Sequence, residues 1–129
     1  MTLYYLQKKI KFDKLVGLKN HRYELVMRNK MKKLRNIHPG EILQEEFLIS
    51  LKISAYRLSK DIGIPQTRIS EIIKGNRRIT ADTALRLSKY FENSVKFWLG
   101  IQDDFDIEEE SNQKKKQLNA IKIYIQNAA

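Results

Sequence analysis

Residues 54–78, SAYRLSKDIGIPQTRISEIIKGNRR, decide how this chain is read. Ser54 is placed to cap a helix whose apolar positions, Ala55, Leu58 and Ile62, recur at spacings of three and four. Gly63 suits the stop that follows, because the residue just past a helix end often needs a positive φ. Pro65 then sets the chain for a new helix at Gln66. That helix turns Ile69, Ile72 and Ile73 inward and leaves Gln66, Thr67, Arg68, Ser70, Glu71 and Lys74 outward. Gly75 ends it, and Asn76, Arg77 and Arg78 follow. Two short helices on a Gly-containing turn, the second polar and its exit basic, match a DNA-reading helix-turn-helix. A plain αα-hairpin with a solvated face carries much of the same signature.

The charge of +10 is unevenly placed. Residues 1–36 hold 11 Lys/Arg against 2 Asp/Glu, whereas residues 37–129 hold 14 against 13. Within the latter, residues 52–78 carry 7 basic and 2 acidic side chains, and residues 79–110 carry 3 and 8. The domain is therefore dipolar, basic where the helix-turn-helix lies and acidic beyond it. The basic part favours phosphate, and the acidic part suits a basic protein partner.

With 129 residues, 42% of them hydrophobic, the chain has enough apolar material for one core with tails. It has no cysteine, which excludes disulfides, thiol catalysis and cysteine-bound metal and fits a cytoplasmic location. No apolar run approaches the ~18 residues that span a bilayer, and the N-terminus lacks the compact apolar stretch of a signal peptide.

Outward from the helix-turn-helix, the chain reads as helix after helix. Ile37-His38-Pro39-Gly40-Glu41 opens the first, with Ile42, Leu43, Phe47 and Leu48 as its buried stripe. Thr80 caps a fourth helix, with Ala84, Leu85, Leu87 and Phe91 toward the core. Ser94 caps a fifth, through Phe97, Trp98, Leu99 and Ile101 into the acidic run 103–110. The fold class is all-α, a compact bundle of five helices with short links. The expected boundaries are a basic, weakly ordered N-terminal extension over 1–33, the helix-turn-helix domain over 37–110 and a C-terminal tail over 111–129. Residues 111–117 are polar and read as a loop. Residues 120–126, AIKIYIQ, alternate apolar and polar, which favours a short strand, although Leu118, Ile121 and Ile125 also fit a helix.

Three stretches together, IHPGEILQEEF (37–47), RLSKDIGIPQTRISEIIKGNRRITADTALRLSKYF (57–91) and KFWLGIQDDFDIE (96–108), resemble the HigA-type antitoxins of the Cro/cI-like helix-turn-helix superfamily. The turn alone is common to many repressors. The HPGE opening, the TADTALRL helix and the FWL-x-x-Q-x-x-[FY]-D ending, correctly spaced, are far more specific. The resemblance implies a five-helix, lambda-repressor-like DNA-binding domain, a homodimer that represses its own operon and a cognate RelE-like toxin, a basic ribonuclease that cleaves mRNA. A stand-alone, phage-like repressor is the alternative. The chain departs from the pattern at Val95, where many relatives have proline. Residues 1 to about 30 have no counterpart in it, and such proteins commonly begin near Met27 or Met31.

No catalytic constellation is apparent, so an enzyme, a metal site or a cofactor is not expected. His21 and His38 have no metal-like spacing, and the serines lack a base and an orienting group. The carboxylates of 103–110 lack the glycine and alternation of a calcium loop. For DNA, Gln66, Thr67 and Arg68 occupy the end of the reading helix that reaches base edges, with Ser70 and Glu71 as secondary readers. Arg68 suits guanine and Gln66 suits adenine. Arg57, Lys74, Asn76, Arg77 and Arg78 are expected on phosphates, with the helix starts at Ser54 and Thr80. Phe97, Trp98 and Ile101 exceed what one apolar stripe needs and are expected at a dimer interface.

Overall fold

The computed structural model describes residues 36–126, and the expectations for the N-terminal extension lie outside them. The described residues form six helices in chain order. Helix α1 is α-helical over Pro39–Ile42 and continues in a wider π-helical form over Leu43–Ile49. Then follow α2 (Ala55–Ile62), α3 (Gln66–Ile73), α4 (Ala81–Phe91), α5 (Val95–Gln113) and the short α6 (Lys115–Asn119). Among the described residues no helix is long and apolar enough to cross a membrane.

The helix starts are chemically specified. Ser54, Thr80 and Ser94 each turn a hydroxyl back on the amide three residues later, supplying an acceptor to donors that have no intrahelical partner. Pro39 and Pro65 sit at the starts of α1 and α3, where a fixed φ and a missing N–H cost little. Gly63 closes α2 at φ 71°, in the left-handed region.

The helices meet over one core. Leu43, Leu58, Ile69, Ile72, Ile79, Ala84, Leu87 and Trp98 are fully buried. Phe47 centres an aromatic group, 4.8 Å from Phe91 and 4.9 Å from Trp98 between ring centroids. Ile42, Leu43, Phe47 and Leu48 are all buried as read, and Leu85 is an exception among the α4 residues, being exposed.

Three expectations are corrected. The first half of α5 is interior: Trp98 has 0% exposure, and Phe97 and Ile101 are buried in the protomer's own core. A helix laid across α1 and α4 buries more than one stripe, so these residues are not a dimer surface. The buried indole N–H donates to Asn93 Oδ1 at 2.8 Å, which satisfies it inside the protomer. Second, residues 111–117 are helical apart from a turn at Lys114, so α5 and α6 run through the expected loop and past the boundary at 110. Polarity there reflects full solvation, not a break in the helix. Third, residues 121–126 form no strand; alternation supplies a strand's faces, but a ladder needs a neighbour.

Candidate nucleic-acid interface

Helix α3 stands on Ile69 and Ile72, both fully buried. That anchoring turns its first turn outward. Gln66 and Thr67 are exposed, and Arg68 is half-exposed. Arg68 lies 3.6 Å from Asp82 in the first turn of α4, and Asp82 is also held by Arg86 at 3.0 Å. Asp82 thus orients a guanidinium beside the reading turn, a role that Asp in the first turn of a capped helix did not announce. Ser70 is half-buried on the same helix. Glu71 is exposed but pairs with Arg77 at 3.0 Å, so these two are drawn to each other before either meets a base or a phosphate.

The turn between α2 and α3 is tied from a third helix. The Arg86 guanidinium donates to the carbonyls of Ile62 and Gly63, at 2.8 and 3.4 Å, covering acceptors that the end of α2 leaves open. Ile64 in the turn is buried. At the other end of α2, Arg57 donates to Asp61 at 2.7 Å, and the Tyr90 hydroxyl donates to the same oxygen at 2.6 Å. The Tyr90 bond first, and the Arg57 bond next, hold the Asp61 carboxyl below its ordinary range. Arg57 is exposed and has one anionic partner already.

The exit of α3 is locked more firmly. A Cβ on Gly40 would lie 1.7 Å from the Ile72 carbonyl oxygen, so only glycine lets α1 pack on the end of α3. His38 caps α1 by accepting the Gly40 N–H at Nδ1, 2.9 Å away. Its ring meets Phe105 edge-on at 4.8 Å between centroids. Burial pushes the imidazole pKa down, against the opposing pull of Asp106 and Glu41, and the neutral form is the one that can accept at Nδ1.

Past Gly75, the buried Gln102 takes the Ile79 N–H on Oε1 at 2.7 Å and donates from Nε2 to Asp106 Oδ1 at 2.9 Å. The other Asp106 oxygen accepts from Arg78 at 3.1 and 3.3 Å, and Asp103 lies 3.7 Å from the same guanidinium. Gln102, Phe105 and Asp106 of the FWL-x-x-Q-x-x-[FY]-D ending are therefore the parts that hold the exit of α3. Arg78, expected on a phosphate, is exposed and bonds to Asp106 of α5. Lys74, Asn76 and Arg77 remain exposed at the exit. Ser54 and Thr80 use their hydroxyls as caps, so contact with an anion there would come from backbone N–H groups of the first turn.

The face so built presents a bidentate guanidinium, a primary amide and a hydroxyl from one helix turn, with lysine and arginine beside it. Such groups can meet base edges and phosphates of a duplex.

Comparison with known proteins bears on this face. A helix-turn-helix family model matches residues 44–98. Virulence-associated protein I of Dichelobacter nodosus is 45% identical over 85 residues, 66% of this chain and 78% of that protein. A HigA-family addiction module antidote protein from Coxiella burnetii superposes with a TM-score of 0.66 at 44% identity, covering 70% of this chain and all of that one. The Pseudomonas aeruginosa antitoxin HigA, solved with the higBA promoter, gives 0.68 at 34% identity with the same coverage. The two solved relatives are an antidote protein and an antitoxin of the HigA type. With the whole of the Coxiella burnetii antidote protein covered at 44% identity, the chain belongs to the HigA family of helix-turn-helix antitoxins.

Proposed function

We propose that this chain is a sequence-specific DNA-binding antitoxin of a type II toxin-antitoxin system, acting in the cytoplasm. In this reading it binds its own operator as a homodimer, represses its operon and neutralises a RelE-like, HigB-type mRNA-cleaving toxin. The observation that carries the DNA part is the exposed first turn of α3, Gln66-Thr67-Arg68, fixed on buried Ile69 and Ile72. Arg68 donates to guanine O6 and N7, Gln66 bridges adenine N6 and N7, and Thr67 and Ser70 assist. Lys74, Asn76, Arg77 and Arg57 contact phosphates, the arginines by exchanging Glu71 and Asp61 for DNA. Two such helices enter successive major grooves about 34 Å apart on a pseudopalindrome. The likeness to an antitoxin solved with its promoter supports this assignment, and the excess of carboxylates over residues 79–110 supports a basic protein partner.

Two measurements test it together. Footprinting upstream of the chain's own gene is expected to protect a two-fold site, and co-expression with the adjacent gene product is expected to abolish that product's toxicity. Protection without any toxic neighbour would leave a stand-alone repressor. No protected site would overturn the DNA reading.

A further inference from the structure

Among the described residues every arginine keeps a carboxylate. Arg57 has Asp61, Arg77 has Glu71, Arg78 has Asp103 and Asp106, and Arg68 and Arg86 share Asp82. The Arg68 pair is the one that joins the first turn of the reading helix to another helix. Asp82 divides its two oxygens: Oδ1 accepts from Arg86 Nε at 3.0 Å, and Oδ2 lies 3.6 Å from Arg68 Nη1. Arg86 is itself fixed, donating from Nη1 to the carbonyls of Ile62 and Gly63. Arg68 is thus the last member of a relay that begins in the turn before its own helix and runs through Arg86 and Asp82.

An ion pair as exposed as Arg68 with Asp82 adds little to folding. Its consequence lies in binding. A guanidinium on a free stem beside a duplex is drawn to the nearest phosphate, and a phosphate contact carries no sequence information. A carboxylate next to it changes that balance in two ways. It engages the Nη1 side and leaves the Nε and Nη2 N–H groups to donate to guanine O6 and N7, with less side-chain freedom to lose on binding. It also offsets a positive charge, so attraction to phosphates of any sequence is smaller.

We propose that Asp82, although it touches neither base nor phosphate, is a specificity-determining residue: it holds Arg68 for a guanine and away from the phosphates. Asp82 is a positioning residue that acts through Arg68. The inference rests on the DNA-binding reading above and goes beyond it, because removing this carboxylate should yield a protein that binds DNA more tightly and discriminates less. A residue needed only to hold the fold would do the opposite, weakening every duplex together.

Asp82→Asn isolates the charge. The amide oxygen can still accept from Arg86 Nε, and the Thr80 hydroxyl still caps α4. Selection from a randomised duplex pool, followed by titration of the selected and scrambled duplexes over a range of salt, compares the full-length parent with Asp82→Asn, Arg68→Ala and the double variant. The parent is expected to demand a guanine at one position, and Arg68→Ala to lose that demand. Asp82→Asn is expected to reduce discrimination at the same position about tenfold. On scrambled duplex it is expected to bind more tightly than the parent, with a salt slope steeper by about 0.9 from the added phosphate contact. In the Arg68→Ala background, Asp82→Asn is expected to change preference at no position.

An Asp82→Asn protein that keeps the parent's demand for that guanine, or that shifts its affinity for every duplex by one factor, would overturn the proposal and spare the DNA reading. So would a loss of preference by Asp82→Asn that persists without Arg68. A parent that selects no sequence would overturn the DNA reading, and this proposal with it.

Discussion

At the start of α3, Gln66, Thr67 and Arg68 face solvent with Asp82 loosely beside the guanidinium. At its end, Arg77 and Arg78 have carboxylate partners, Gly40 is pressed against Ile72, and Gln102 holds the Ile79 amide. Along the sequence both ends look alike, polar and basic. What separates them is where the counter-charges come from. The Arg78 partner lies 28 residues away on α5, so a count of cations cannot tell a side chain that reaches outward from one that closes the fold.

Breaking the fixed end should give the largest effect. Gly40→Ala pushes a methyl group into the Ile72 carbonyl, and backbone on both sides leaves nothing flexible to yield. A loss of about 3 kcal/mol or more is expected, a drop in melting temperature on the order of 10–20 °C for a domain of this size. An unchanged melting curve would mean that α1 does not bear on α3 in this way.

Gln102→Leu is next. It keeps the volume but leaves the buried Ile79 N–H without its acceptor, at a cost of about 1–3 kcal/mol. Arg78→Ala, which removes an exposed ion pair with Asp106, should cost about 0–1 kcal/mol. Thermal unfolding of the two variants side by side would show whether the buried amide or the surface charge holds the exit.

The His38 cap should give the smallest effect, visible only against pH. Its folded pKa lies below the ordinary 6.5 because burial disfavours the charged ring. As pH falls through 6.5 the unfolded chain takes up a proton that the folded one does not, so stability from this group is full above 6.5 and declines below it. Asn is a good helix cap and does not titrate. The His38→Asn protein should therefore lose less stability than the parent between pH 7 and 5.5, as followed by unfolding at each pH. Parallel curves would assign the loss to other groups.

Much of this domain was legible in the sequence because its signals are local. Capping residues, apolar spacing and the Gly63 and Pro65 pair located α2 to α5, and the buried stripe of α1 followed from Ile42, Leu43, Phe47 and Leu48. The outward face of α3 was legible for the same reason, since Ile69 and Ile72 point inward. What escaped the sequence depends on distance along the chain. Gly40 matters because of Ile72, His38 because of Gly40 and Phe105, and Gln102 because of Ile79. Each of these motif residues had a recognisable pattern and no visible partner. Trp98 and Phe97 were misplaced because apolar excess on a helix does not say whether the cover comes from the same protomer. The 120–126 pattern was a strand's, but pairing is a property of two segments and the described protomer holds one.

The central claim is that the first turn of α3 reads bases while its exit holds the fold. Titrating Arg68→Ala and Arg77→Ala proteins with operator and with scrambled duplex, at matched salt, tests it most directly. Arg68→Ala is expected to lose about 1–3 kcal/mol on the operator, little on scrambled DNA, and preference at one base position. Arg77→Ala is expected to weaken both duplexes by the same factor, with a salt slope shallower by about 0.9. If Arg68→Ala weakens operator and scrambled DNA equally, Arg68 is not a base reader and the account of the reading end is wrong.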